Sequence, residues 1–372
     1  MHENYIFDIF NHLHLCMVQK EQNPFKKLRG IRIIYPVIIG LGVVIFKFYK
    51  DFNPEAFDSI KFDTGLTWFI LLAVVFMVMR DIGYMIRIRI LTHKDLSWSS
   101  AFRVIMLWEF SSAVLPSAVG GTTVAMLYIH KEGINLGRST AVVLATSFLD
   151  ELYFVLMFPI LLAVIKVHKL FAVTGHTIGN EASALVHAFL WFAVIGYSLK
   201  FIYTIIISYG IFINPRGLKW LLLLIFKLPI LRRWRVGANT TGSEIIESSI
   251  ELKKQGFLFW LKAFGATFFS WTSRYLVVNA LFLAFFPVFD HFLIFARQLV
   301  MSNMMLIFPT PGGSGFSEDI FTRYLVDFVP GDRLMAISII LIIAFLWRIV
   351  SYYPYLIIGA LILPSWIKKR FR

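Results

Sequence analysis

The sequence predicts an all-α integral membrane protein with about six transmembrane helices and two re-entrant helical hairpins. Three observations carry this reading: an apolar composition poor in charge, six apolar stretches long enough to cross a bilayer, and two more broken by Pro and Gly. Of the 372 residues, 58% are hydrophobic and only 16% charged, and the mean hydropathy is +0.73. Soluble domains carry roughly a quarter charged residues, so an ordinary soluble enzyme, a disordered chain and a secreted disulfide scaffold are excluded. Cys16 is the only cysteine, which forbids an intrachain disulfide and a Cys-built zinc site. The net charge of +14 comes from basic residues crowded beside apolar runs, a mark of membrane topology and not of nucleic-acid binding.

A hydrocarbon core of about 30 Å needs roughly 20 apolar helical residues. In chain order the stretches that qualify are 31–48, 65–86, 139–165, 184–212, 257–286 and 334–363. The first follows a polar, basic segment, 1–30, and no small-x-small cleavage site comes after it in VIFKFYKDF, so it is a retained span. Lys20, Lys26, Lys27, Arg29 and Arg32 ahead of it place the N-terminus in the cytoplasm. The loop that follows, with Asp51, Glu55, Asp58 and Asp63, belongs outside, and Arg87, Arg89 and Lys94 return the chain inside. The insert 213–256 holds GLKWLLLLIFKLPILRRWR, short, basic and aromatic, suited to the inner interface. GSEIIESSIELKK then reads as a short cytoplasmic helix. The transmembrane domain therefore runs over 31–365, and 366–372 is a basic cytoplasmic tail.

Two apolar segments do not fit as simple spans. WSSAFRVIMLWEFSSAVLPSAVGGTTVAMLYIHKEG is broken at Pro116-Ser117 and Gly120-Gly121. HFLIFARQLVMSNMMLIFPTPGGSGFSEDIFTRYL is broken at Pro309, Pro311 and Gly312-Gly313. Proline removes a backbone donor and clashes with the preceding turn, while paired glycines admit a sharp reversal. Irregular backbone at membrane depth survives only inside protein or beside a watery cavity, so each segment reads as a re-entrant hairpin. With six crossings and both termini inside, the hairpins enter from opposite faces. That is the pattern an inverted repeat leaves, and it points to a site near the midplane.

Ionisable groups within spans are costly and line cavities or pair with one another. They are Arg80, Asp81, Glu109, Asp150, Glu151, Arg274, Glu318, Asp319 and Arg348. Thr267, Ser270 and Arg274 share a helical face, as do Arg348, Ser351, Tyr352 and Tyr355. Ser147 lies on the face of Asp150, and Ser112 on that of Glu109. A structural ion pair is the simpler account of Arg80 and Asp81, near the inner end of their span. The polar stripes of Arg274 and Arg348 favour a cavity. Exposed amides and half-helix ends at a break make an anion site, and lipid phosphate is the anion most available to a membrane protein. Enzyme motifs are absent: there is no Walker loop, HExxH or GxGxxG, and GGSGFSE does not satisfy the GxSxG elbow. His12, His14 and Cys16 have metal-like spacing but read more simply as part of an N-terminal helix.

LPSAVGGTTVAMLYIHKEGINLGRSTAVVLATSFLDEL, followed by FPTPGGSGFSEDIF, resembles the lysylphosphatidylglycerol synthase transmembrane region. This is the flippase-like domain of the multiple peptide resistance factor and of many stand-alone membrane proteins. The resemblance spans about residues 30 to 365 and rests on Pro116, Gly120, Gly121, Gly133-Ile134, Asp150, and Pro311, Gly312, Gly313, Gly315 and Glu318. Two departures bear on substrate: Ser147 stands where the family often has an Arg, and TTVAMLY lacks another that often follows the glycine turn. The bifunctional members also carry a soluble aminoacyltransferase domain. This chain continues only seven residues past Ser365, to Arg372, so that activity is expected to be missing.

The reading that follows is a cell-membrane protein that moves an anionic lipid, or a lipid-linked molecule, between leaflets. Arg274, Arg348 and the glycine-turn amides would hold the head group, while Asp150 and Glu318 position the arginines or bind a coupling cation. No cofactor and no nucleic-acid partner is expected, and the sequence does not fix an oligomeric state. A membrane enzyme acting on a lipid head group and a non-transporting accessory subunit are the alternatives.

Overall fold

Short polar side chains and left-handed residues set the helix ends. Asn135, Asp290 and Asp332 each accept a hydrogen bond from the backbone N–H three residues on, at 2.7, 2.9 and 2.9 Å, capping free helix amides. His93 and Lys94 (φ 52° and 67°) turn the chain after the first helix, and Gly133 and Gly331 (φ 109° and 110°) sit just ahead of two caps. The structure is a computed structural model, and its described residues are 64–114, 120–172, 180–214, 216–217, 246–306 and 316–370. The expected first span, 31–48, most of the insert, and Pro116, Pro311, Gly312, Gly313 and Gly315 lie outside the described residues.

In order the helices are α1 (Thr64–Leu91), α2 (Trp98–Val114), α3 (Gly120–Lys131), α4 (Leu136–Val164), α5 (Val167–Phe171) and α6 (Asn180–Ser208). There follow α7 (Phe257–Leu283), α8 (His291–Met305), α9 (Phe316–Leu325), α10 (Arg333–Ser351) and α11 (Tyr353–Arg370). The described residues contain no strand. Four stretches are long and apolar enough to cross a membrane: Thr64–Leu91, Leu136–Val164, Val186–Ile213 and Leu334–Arg370. They coincide with the second, third, fourth and sixth expected spans. The fifth forms as α7, 27 residues long, but is less apolar than those four. Apolar side chains such as Trp68, Val164, Ile202 and Leu361 are 68, 64, 54 and 73% exposed, a surface made for lipid. The protein is an all-α, multi-pass membrane protein.

Two elements differ from expectation. Helix α1 continues past 86 to Leu91 and carries Arg87 into the bundle, where it is 4% exposed. The last expected span is two helices broken at Tyr352, together 37 residues, or about 55 Å at the α-helical rise. Pro354, which cannot donate to the helical ladder, follows the break.

Helices α1 and α7 make the most extensive pairing. They are antiparallel: Arg87 reaches Thr267 at 3.3 Å, while the Arg80 carbonyl accepts from Ser270 at 2.9 Å. Gly83 allows this approach, since a Cβ there would run into the Ser270 hydroxyl and lie 3.0 Å from the Ala266 carbonyl oxygen. Helices α2 and α3 form an antiparallel hairpin, tied by Ser111–Tyr128 at 2.7 Å and Arg103–Glu132 at 2.9 Å. Helices α8 and α9 form another, in which Arg297 donates to the Tyr324 carbonyl at 2.8 Å. The first hairpin leaves from the C-terminal end of α1 and the second from that of α7. Because α1 and α7 are antiparallel, the hairpins open at opposite ends of the bundle. Described residues flanking both turns meet the α10–α11 junction, where Arg348 pairs with Glu318 of α9 and the Tyr352 hydroxyl donates to the Ala113 carbonyl of α2 at 3.1 Å.

Candidate functional site

Arg80, Tyr84 and Arg87 recur at helical spacing on one face of α1. Their face meets α2, α4 and α7. Arg80 bonds Asp81 at 2.9 Å and Glu109 of α2 at 2.5 Å. Arg87 grips both oxygens of Asp150 on α4, at 2.5 and 3.2 Å, and the Trp271 indole donates to the same carboxylate at 2.7 Å. The Tyr84 ring lies beside both guanidiniums, each 4.6 Å from its centroid. From α6, Lys200 pairs with Glu151 at 2.7 Å and lies 4.1 Å above the Phe154 ring. Buried charges persist only when paired and hydrogen-bonded, and these meet that condition.

Arg274 on α7 does not. It lies 5.5 Å above the Trp271 ring, and among the described residues no carboxylate is within ion-pair distance of it. Arg80 holds two carboxylates while Arg274 holds none, so charge is distributed unevenly around a cavity of about 790 Å³. Arg80, Arg87, Lys200 and Arg274 line it together with Glu109, Asp150 and Glu151. Both hairpins reach it near their tips, the first through Ser112 and Thr122 and the second through Ser302 and Leu306. Apart from Lys200, its α6 wall is largely apolar: Leu199, Ile202, Tyr203 and Ile206 are 49, 54, 40 and 45% exposed. A guanidinium fork offers paired donors to a phosphate or carboxylate, so this chamber can seat an anion beside an apolar, lipid-facing wall.

The residues singled out by sequence divide into three groups. Asp150 and Arg274 line the cavity. Gly120 and Gly121 open α3, and Gly121 is buried against Ser112, one of the cavity's walls. Glu318 and Arg348 form a separate pair at 2.6 Å, 3% and 6% exposed, and are not among the walls. The Ser317 hydroxyl bonds Glu318 and is also a partner of Arg348, whose guanidinium lies 4.9 and 4.8 Å from the Trp347 and Tyr352 rings. Thr267 and Ser270 face α1, so the polar stripe expected on α7 serves the helix pairing and leaves Arg274 to the cavity. Sequence reasoning missed Arg87, Tyr84, Trp271 and Lys200 as site residues. The signal for Arg87 was its place seven residues beyond Arg80, on the same face; Lys200 was a lone charge within an expected span.

The sequence profile of the lysylphosphatidylglycerol synthase TM region matches residues 33–359. A UPF0104 membrane protein of Archaeoglobus fulgidus is 23% identical over 350 residues, which cover 90% of this chain and 97% of the relative. No solved structure matches the chain significantly. With the family's profile running through nearly all the helices that build the cavity, the chain belongs to the lysylphosphatidylglycerol synthase TM region family.

Proposed function

We propose that this protein binds the anionic head group of a membrane lipid, or of a lipid-linked molecule, in the polar cavity and carries it between leaflets. It would do so in the cell membrane, with both termini cytoplasmic and both hairpins re-entrant. The observation that carries the reading is Arg274, the cavity cation with no carboxylate at ion-pair distance among the described residues. A head group can bind Arg274 directly without displacing Glu109, Asp150 or Glu151 from Arg80, Arg87 and Lys200. The exposed apolar wall of α6 lets the hydrocarbon remain in the bilayer while the head group enters. The same arrangement favours transport over head-group chemistry, because each cavity carboxylate is already held by a cation and none stands free as a general base.

The test is lipid scrambling in proteoliposomes, read as loss of leaflet asymmetry of a head-group-labelled anionic lipid. A hydrogen bond to a charged group contributes about 1.5–3 kcal/mol, so Arg274→Gln should slow scrambling by about 10- to 100-fold in a folded protein. Arg274→Lys should recover part of the rate, since it keeps the charge and loses the fork. A wild-type rate in folded Arg274→Gln protein would overturn the proposal.

A further inference from the structure

A second cavity, of about 570 Å³, lies between α1, α4, α7 and α8, and its walls are apolar except for Thr272, Asn279 and His291. The same four helices line the polar chamber, and three of them carry one continuous stripe from one cavity to the other. On α1 the apolar residues Leu72 and Phe76 are followed at four-residue steps by Arg80 and Tyr84 of the polar cavity. On α4, Met157 gives way to Phe154 and Asp150. On α8, Phe295 gives way to Ser302 two turns later. Phe76 and Arg80 are four residues apart, about 6 Å along the axis, so the cavities are neighbours along these helices. Along α7 the two overlap: the apolar cavity takes Phe268, Thr272, Leu276, Asn279, Ala280 and Leu283, and the polar one takes Trp271 and Arg274, which lie among them.

Asn279 is an unsatisfied polar group in the apolar wall. It is 5% exposed, lines the apolar cavity, and neither of its amide atoms has a hydrogen-bond partner among the described residues. A buried amide without partners is unfavourable, and in an apolar wall it suits a ligand that brings a polar group. Asn279 lies five residues beyond Arg274 on α7, about 7.5 Å along the helix.

We infer that one amphiphile occupies both cavities: an anionic head group at Arg274, a hydrogen-bonding linkage such as an ester beside Asn279, and a hydrocarbon chain in the apolar cavity. This rests on the polar cavity being a head-group site and narrows it, because the ligand is then a chain-bearing lipid and not a free anion. During transport one chain is held by protein while the head group crosses, and the rest of the lipid lies along the apolar face of α6.

The experiment uses the full chain in nanodiscs containing phosphatidylglycerol with a diazirine at the end of one acyl chain, and mass spectrometry locates the label. Label should concentrate at Leu72 and Leu283, the cavity residues farthest along their helices from Arg80 and Arg274, and fall about tenfold under a tenfold excess of unlabelled phosphatidylglycerol by mass action. The same excess of phosphatidylcholine should leave it. Ala280→Trp, which fills the cavity from a position now 1% exposed, and Arg274→Gln should each remove this label while that at the exposed Trp68 persists. Equal competition by the two lipids would show bulk hydrocarbon only and overturn the inference. So would absence of cavity label, as when residues 1–63 of the chain fill the space. Should Ala280→Trp fail to fold, competition on the wild-type protein decides alone. Failure of the head-group reading is distinct: it would appear as undiminished scrambling by Arg274→Gln.

Discussion

Glu318 and Arg348 are 3% and 6% exposed and 2.6 Å apart, and removal of one charge deprives the other of this ion pair in a low-dielectric interior. Glu318→Gln should therefore lower stability by about 3–5 kcal/mol, and the added Arg348→Gln should recover part of that loss, read by thermal unfolding of the purified protein. Because the pair is not among the cavity walls, the double variant should scramble lipid at close to the wild-type rate per folded molecule. Arg274→Gln should show the reverse, with activity lost and stability little changed. A stable but inactive Glu318→Gln protein would place the pair on the substrate path, as the family resemblance implies. Individual charges were legible in the sequence because an ionisable group inside an apolar run stands out. Their partners were not. Arg87 and Asp150 are 63 residues apart, and no periodicity within a helix encodes a contact between helices. Arg87 was hidden further by the topology argument itself, which read a basic residue at the end of a span as loop.

At the scale of elements, the open end of the first hairpin is tied to the last helix through one carboxylate. Glu132, its side chain 0% exposed, accepts from Arg103 at 2.9 Å and from Arg370 at 2.5 Å, and the Trp366 indole donates to it at 2.9 Å. Trp366 also packs edge-on against Tyr128 of α3, with ring centroids 5.1 Å apart. Burial pushes the Glu132 carboxyl up, but the hydrogen bonds from Arg103 and Trp366 and the Arg103 charge outweigh it and hold the group below its ordinary value near 4.5. A carboxyl depressed by folding stabilises the fold above its unfolded pKa, and the contribution is lost as pH falls through the folded value. Wild-type stability should accordingly decline as pH drops below about 4.5. Glu132→Gln should lower stability at pH 7 by about 1–3 kcal/mol and flatten that acid limb; an unchanged limb would show that other carboxyls govern it. The Gly-Pro break of this hairpin was readable from sequence because two breakers interrupt an apolar run. The break at Tyr352 was not, since SYYPYLIIGALIL stays apolar across it and Pro354 lies where a helix start tolerates proline.

At the scale of the whole molecule, the bundle is polarised end to end. The end where α2 and α3 open carries Arg103, Lys131 and Arg138, together with Lys368, Lys369 and Arg370 from α11. The end where α8 and α9 open carries Asp290, Asp327 and Asp332 together with Lys166, Lys169 and Arg297, and so lacks the basic excess of the first. Basic residues flanking spans are retained in the cytoplasm, so the topology we propose has the first end facing inward and the second outward. This sharpens the topology read from sequence, because opposed hairpins now follow from the antiparallel α1–α7 pair as well as from a count of crossings. With Cys16 replaced by Ser, a cysteine at Phe289, which is 100% exposed, should react with a membrane-impermeant maleimide in intact cells. One at Ser99, exposed at the start of α2, should react only after permeabilisation. Both reacting from one side would overturn the opposed hairpins and, with them, a chamber reached from both leaflets. The reverse pattern would keep the hairpins and invert the protein, moving both termini outside.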